Sequence, residues 1–228
     1  MSEIRVPARP DDYRAGVIDL MGALAYGELA AFSRRAEDAA GAPTLADRVM
    51  ITSMAATQFD HFEMVRDHLW GMDVDVMEAM TPFHPAFDSY HSRTRPRTWL
   101  EGLVTAFVGD GLAGDFYREV AAYVDSATRD LVHQVLADAA GNDYAVGRVR
   151  QSISDDPAVA GRLALWARRL VGEALSEARR VAVARPALTA LLSGTVDRAG
   201  TDLAAIERML TRLVETHTLR MERLGLAS

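Results

Sequence analysis

The chain has 228 residues, 49% of them hydrophobic and 25% charged, which is long and apolar enough for one sizeable core and too little polar for disorder. Its 25 basic and 32 acidic side chains leave a net charge of -7, which argues against a surface built to grip phosphate backbones. Cysteine is absent, so disulfides, thiolate zinc sites, iron–sulfur clusters and cysteine nucleophiles are excluded. The opening MSEIRVPARPDD has no signal-like apolar run, and no uncharged stretch reaches the roughly 18 residues of a membrane span. A cytoplasmic protein with no membrane partner is expected.

Proline and glycine punctuation divides the chain into long helical pieces. The first helix is predicted from about Asp11 to Ala40, ending at Gly41-Ala42-Pro43. Thr44 reads as the N-cap of a second helix running to about Gly71. Residues 73–97, with Pro82, Pro85 and Pro96, read as a connection holding one short helix near Val76–Met80. Thr98 caps a third helix to about Val124, and after Asp125-Ser126 a fourth runs to near Ser154. Pro157 opens a fifth helix broken at Pro186, and a last one covers about Thr201 to Leu224. No segment alternates with period two, so no sheet is expected. Two tight helix hairpins joined by one long connection predict an all-α four-helix bundle with a single crossover. The chain is read as one domain, with its core bundle at 11–154 and the additional C-terminal helices, 155–228, covering one side.

Heptad-like spacing shows which residues face the bundle centre. On the first helix these are Val17, Met21, Leu24, Glu28 and Ala31, and Glu28 is the one charged residue between Leu20 and Ser33. A carboxylate in that stripe has left water, which costs several kcal/mol unless something pairs with it. On the second helix Ile51, Met54, Gln58, His61 and Val65 share a face, and the three-residue step from Gln58 to His61 aims both at one spot. Leu103, Phe107, Asp110 and Tyr117 do the same on the third helix, with Asp115 close by. Leu131, Val135, Asp138, Asn142 and Ala145 do so on the fourth. Each helix thus offers a polar side chain at comparable depth, and carboxylates with imidazole suit iron or manganese. Buried acids that simply pair with an arginine or a tyrosine are the competing reading of the same pattern.

These residues carry a resemblance. The chain resembles the ferritin-like superfamily and, within it, actinobacterial proteins similar to the tRNA isopentenyladenosine hydroxylase, a non-haem di-iron enzyme. Gln58-Phe59-Asp60-His61-Phe62 is similar to that group's Glu-x-x-His element, and Phe107 to Asp110 through Asp115-Phe116-Tyr117 is similar to its third helix. The resemblance implies a ferritin-like bundle whose metal ligands are Glu28, His61, Asp110 (or Asp115) and Asp138, with Gln58 standing where a bridging Glu belongs and Gly141 where a second His belongs. It implies one or two iron ions, or none if the depleted set has lost them. The activity implied is hydroxylase or oxidase chemistry on a tRNA-like substrate; the alternative is a non-catalytic scaffold or interaction protein. A homodimer is the expected assembly.

Other features read as structural. His91-Ser92-Arg93-Thr94-Arg95-Pro96-Arg97 is a solvated basic connector rather than a phosphate contact. His68 is a bundle-end histidine. Glu173 and Glu177, flanked by Arg169 and Arg180, read as a surface salt-bridge stripe.

Overall fold

The computed structural model describes residues 10–137, 140–193 and 199–226. Helix α1, Pro10–Ala40, and helix α2, Leu45–Gly71, form the first hairpin, and the Thr44 side chain accepts from the Asp47 amide at the start of α2. A crossover follows, holding α3, Val76–Met80, and α4, His84–Arg93. The third rod consists of α5, Trp99–Val104, a π-helical segment, Thr105–Asp110, and α6, Gly111–Ala121. The remaining helices are α7, Ser126–Val135, α8, Ala140–Asp155, α9, Ala158–Ala184, α10, Pro186–Ser193, and α11, Ala199–Leu224. No strand occurs among the described residues, as expected of an all-α ferritin-like fold.

Three elements differ from the sequence reading. The residues read as plain connection contain α4, whose Pro85 sits in the first turn, where a missing N–H removes no helical bond. The fourth helix is interrupted: α7 stops at Val135, Leu136 leaves helical geometry, and helix resumes at Ala140. Pro186 opens the separate helix α10 rather than only breaking α9. The third rod is helical as predicted, but its middle turn is π-helical, a rare geometry that often marks functional sites.

The long apolar α1 meets the length and composition of a membrane span, yet 61% of its most apolar window is buried inside the protein. It packs on α2, α3 and α10 and is a core helix here. Gly22 makes the α3 contact close, because a methyl at that position would collide with the Ala79 carbonyl. Two apolar clusters fill the interior. One gathers Leu20, Leu24, Val65, Leu69, Phe83 and Val120; the other gathers Ile51, Met54, Leu103, Phe107, Val149 and Leu170. Burying each such side chain contributes about 1.5–3 kcal/mol. On α1, α2 and the third rod the two clusters meet near Glu28, Gln58–His61 and Asp110, so the polar side chains form a layer between them.

Candidate metal centre

Four helical elements build this layer. On α1, Glu28 and Arg35 are seven residues apart and therefore on one face, with Arg34 beside them. On α2, Gln58 and His61 are one turn apart. Asp110 ends the π-helical segment, and His91 comes from α4. Glu28, Gln58 and Arg35 are each only 7% exposed.

The contacts split into two groups. Glu28 Oε2 and His61 Nδ1 face each other at 3.5 Å, an ion-pair separation, but neither atom has a hydrogen-bond partner. Burial pushes the Glu28 carboxyl above the usual carboxylate range, opposed by His61 and by the Arg35 charge. The second group centres on Asp110. Its Oδ2 accepts from Arg35 at 2.7 Å and its Oδ1 from Arg34 at 3.3 Å. Arg34 also contacts the His91 ring nitrogen. Burial and that guanidinium hold the His91 imidazole down at about 3, so the ring is neutral at pH 7.

Set against the ligands implied by the resemblance, Glu28 and His61 lie together, with Gln58 buried on the same helix as His61. Asp110 is near enough for its charge to act on Glu28, but both its oxygens are engaged by guanidinium groups. Asp115, the alternative ligand, is directed elsewhere: it pairs with Arg220 of α11 and with Arg118 at 3.2 Å. Asp138 lies outside the described residues. Gly141, at the start of α8, brings no donor side chain. Among the described residues no three His, Asp or Glu side chains come together as a metal-holding group. A di-iron centre needs about four carboxylates and two histidines. The described residues do not fit it.

Sequence reasoning missed Arg34 and Arg35. The heptad step from Glu28 to Arg35 was the signal for the second; the first had none. Comparison with the other buried acids is instructive. Asp19 is held by Arg185; Asp47 by Tyr144 at 2.6 Å and Arg148 at 3.0 Å; Glu177 by Ser89 and Arg180, each at 2.8 Å. Glu177 is thus buried, not part of an exposed stripe. His91 of the basic segment is engaged by Arg34, while Arg93 stays exposed and pairs with Glu173 at 3.1 Å. His68 does lie at the bundle end, 3.2 Å from the Thr128 hydroxyl. Of these acids Glu28 is the one with a buried oxygen lacking a hydrogen bond.

A one-crossover helical bundle with a carboxylate and an imidazole meeting at mid-height defines a ferritin-like protein. The sequence matches the family described as the ferritin-like domain of actinomycetes over residues 11–195, and the chain belongs to that family. No curated protein matches the chain.

Proposed function

We propose that this ferritin-like protein is a metal-independent helical scaffold rather than an iron hydroxylase. The observation that supports this is the double guanidinium grip on Asp110. A carboxylate already neutralised by Arg34 and Arg35 is a poor ligand for a dication, because binding the metal would strand two cations beside it. Arg35 then does what a metal does in the resembled enzymes: it supplies positive charge to a buried acidic layer. The remaining pair, Glu28 and His61, supplies two donors with the neutral Gln58 nearby, short of the set that oxygen-activating iron requires.

A second reading rests on Glu28 and His61 themselves. Two buried donor atoms that face each other at 3.5 Å without a hydrogen bond are a natural pair of ligands for a single cation. Elemental analysis separates the readings. Protein expressed in iron-rich medium and purified without chelator should carry only traces of iron and manganese while giving a fully helical circular-dichroism spectrum. About one iron per chain, lost in Glu28→Ala, would instead establish the mononuclear site and sink the scaffold reading.

A further inference from the structure

Beside Tyr117 lies a cavity of about 160 Å³ that opens to the surface on one side. It is walled by α1, α4, the third rod, α9, α10 and α11. Its size comes from small side chains contributed by separate helices: Ala23, Ala86, Ala113, Ala174, Ala178 and Ala182. Close-packed interiors hold few voids larger than a water molecule, and any of these positions could carry a bulkier residue that closed the space.

Polar groups on its wall are few. Tyr117 donates to the Ala23 carbonyl at 3.0 Å, and Thr189 donates to the Ala182 carbonyl at 2.8 Å. Glu177 accepts from both Ser89 and Arg180 on its Oε1 alone. The Tyr90 hydroxyl has no partner, but it is packed onto Gly109 and closed to solvent; a methyl on Gly109 would lie 2.8 Å from it. The remaining surface is hydrocarbon, with Phe83, Phe87, Leu112 and Leu213 among the large side chains. A polar atom set against that hydrocarbon would find few partners, the Tyr90 hydroxyl and the second Glu177 oxygen being the unbonded groups on the wall. An apolar void of comparable size, about 150 Å³, stays dry and takes up benzene.

We propose that this cavity is a binding site for the hydrocarbon part of a small molecule, of the size of one aromatic ring or a short branched alkyl group, recognised chiefly by shape and apolarity. The inference does not depend on whether the polar layer binds metal.

Met209 lines the cavity and is 3% exposed, so its methyl group reports occupancy directly. Full-length protein carrying ¹³C-methyl methionine is titrated with toluene and, separately, with phenol, the Met209 resonance being assigned through Met209→Leu. The expected result is a saturable ring-current shift with toluene and at least about tenfold weaker binding of phenol, equivalent to about 1.4 kcal/mol. Ala178→Phe, which fills the cavity, should abolish the shift. Where that variant does not fold, as judged by circular dichroism, Ala113→Leu serves the same purpose. No Met209 shift up to the solubility of toluene, a shift that survives in a folded filled variant, or equal affinity for phenol would each overturn the proposal.

Discussion

The polar layer is interior and the apolar cavity opens to the surface; Tyr117 reaches both, lining the cavity while its hydroxyl lies close to the α1 backbone at Gly27. They handle unmet demand in opposite ways. In the layer, charge is abundant: Asp110 takes two guanidinium groups, and Glu28 faces His61, while Glu28 Oε2, His61 Nδ1 and the Arg35 Nε and Nη1 have no hydrogen bond. In the cavity, charge is sparse, Glu177 being the one charged side chain on its described wall, and what is unmet is contact, because the wall atoms have no packed neighbour across the opening. On the scaffold reading proposed above, the layer holds helices in register, whereas the cavity has binding capacity and little chemistry.

The comparison breaks most visibly at Arg35. Arg35→Met removes the 2.7 Å bond to Asp110 and one of the cations acting on Glu28, leaving Arg34 to hold Asp110 alone. The side chain of Arg35 is buried but Asp110 is partly exposed, so the cost should fall near the low end for a broken buried pair, about 2–3 kcal/mol. Urea unfolding at pH 7 measures it. A loss below about 0.5 kcal/mol, the size of an ordinary surface substitution, would show that the pair is not structural. The same variant should bind toluene like the parent. Tyr117→Phe tests the partition itself at a smaller scale. It deletes one buried hydrogen bond to the Ala23 carbonyl and should cost about 1 kcal/mol. Because the ring remains, cavity binding should persist; a variant that lost toluene binding would show that the hydroxyl bond holds the cavity wall in place.

Much of this arrangement was legible in the sequence, and what was not has physical reasons. Thr44 and Thr98 marked their helix starts because a hydroxyl satisfies an amide of the first turn, and both do so here. Glu28 and Gln58 lie about equally far from the tight hairpin, and His61, one turn beyond Gln58 on the same face, is the residue that meets Glu28. Helix α4 was hidden because prolines were taken as breakers, although Pro85 occupies a position where proline is tolerated. The stop at Leu136 carries neither glycine nor proline, so periodicity ran through it. The π-helical turn leaves no residue signature, since it depends on how the rod packs. Arg35 was visible at heptad spacing but lay beyond the apolar stripe in which Glu28 stood out. Most of all, spacing reveals which residues face inward but not which of them have already found partners, and that decides between a ligand and a salt bridge.

The smallest effect concerns Glu28, and its sign is the informative part. Burial raises the carboxyl's pKa in the folded chain, with His61 and Arg35 only partly opposing it. The folded state therefore holds the proton more tightly than the unfolded state does. The resulting stabilisation is complete below the ordinary carboxylate range and is lost as pH rises through the raised folded value. Glu28→Gln keeps the shape and cannot ionise, so the variant should match the parent most closely at mildly acid pH and gain on it as pH rises toward neutrality. Urea midpoints across pH 4 to 8 supply the comparison. A variant that instead falls behind as pH rises would mean that the native carboxylate is stabilised in its charged form, as an acid held by His61⁺ or by a bound cation would be. That slope would return Glu28 to the role of a ligand and erase the contrast with the cavity.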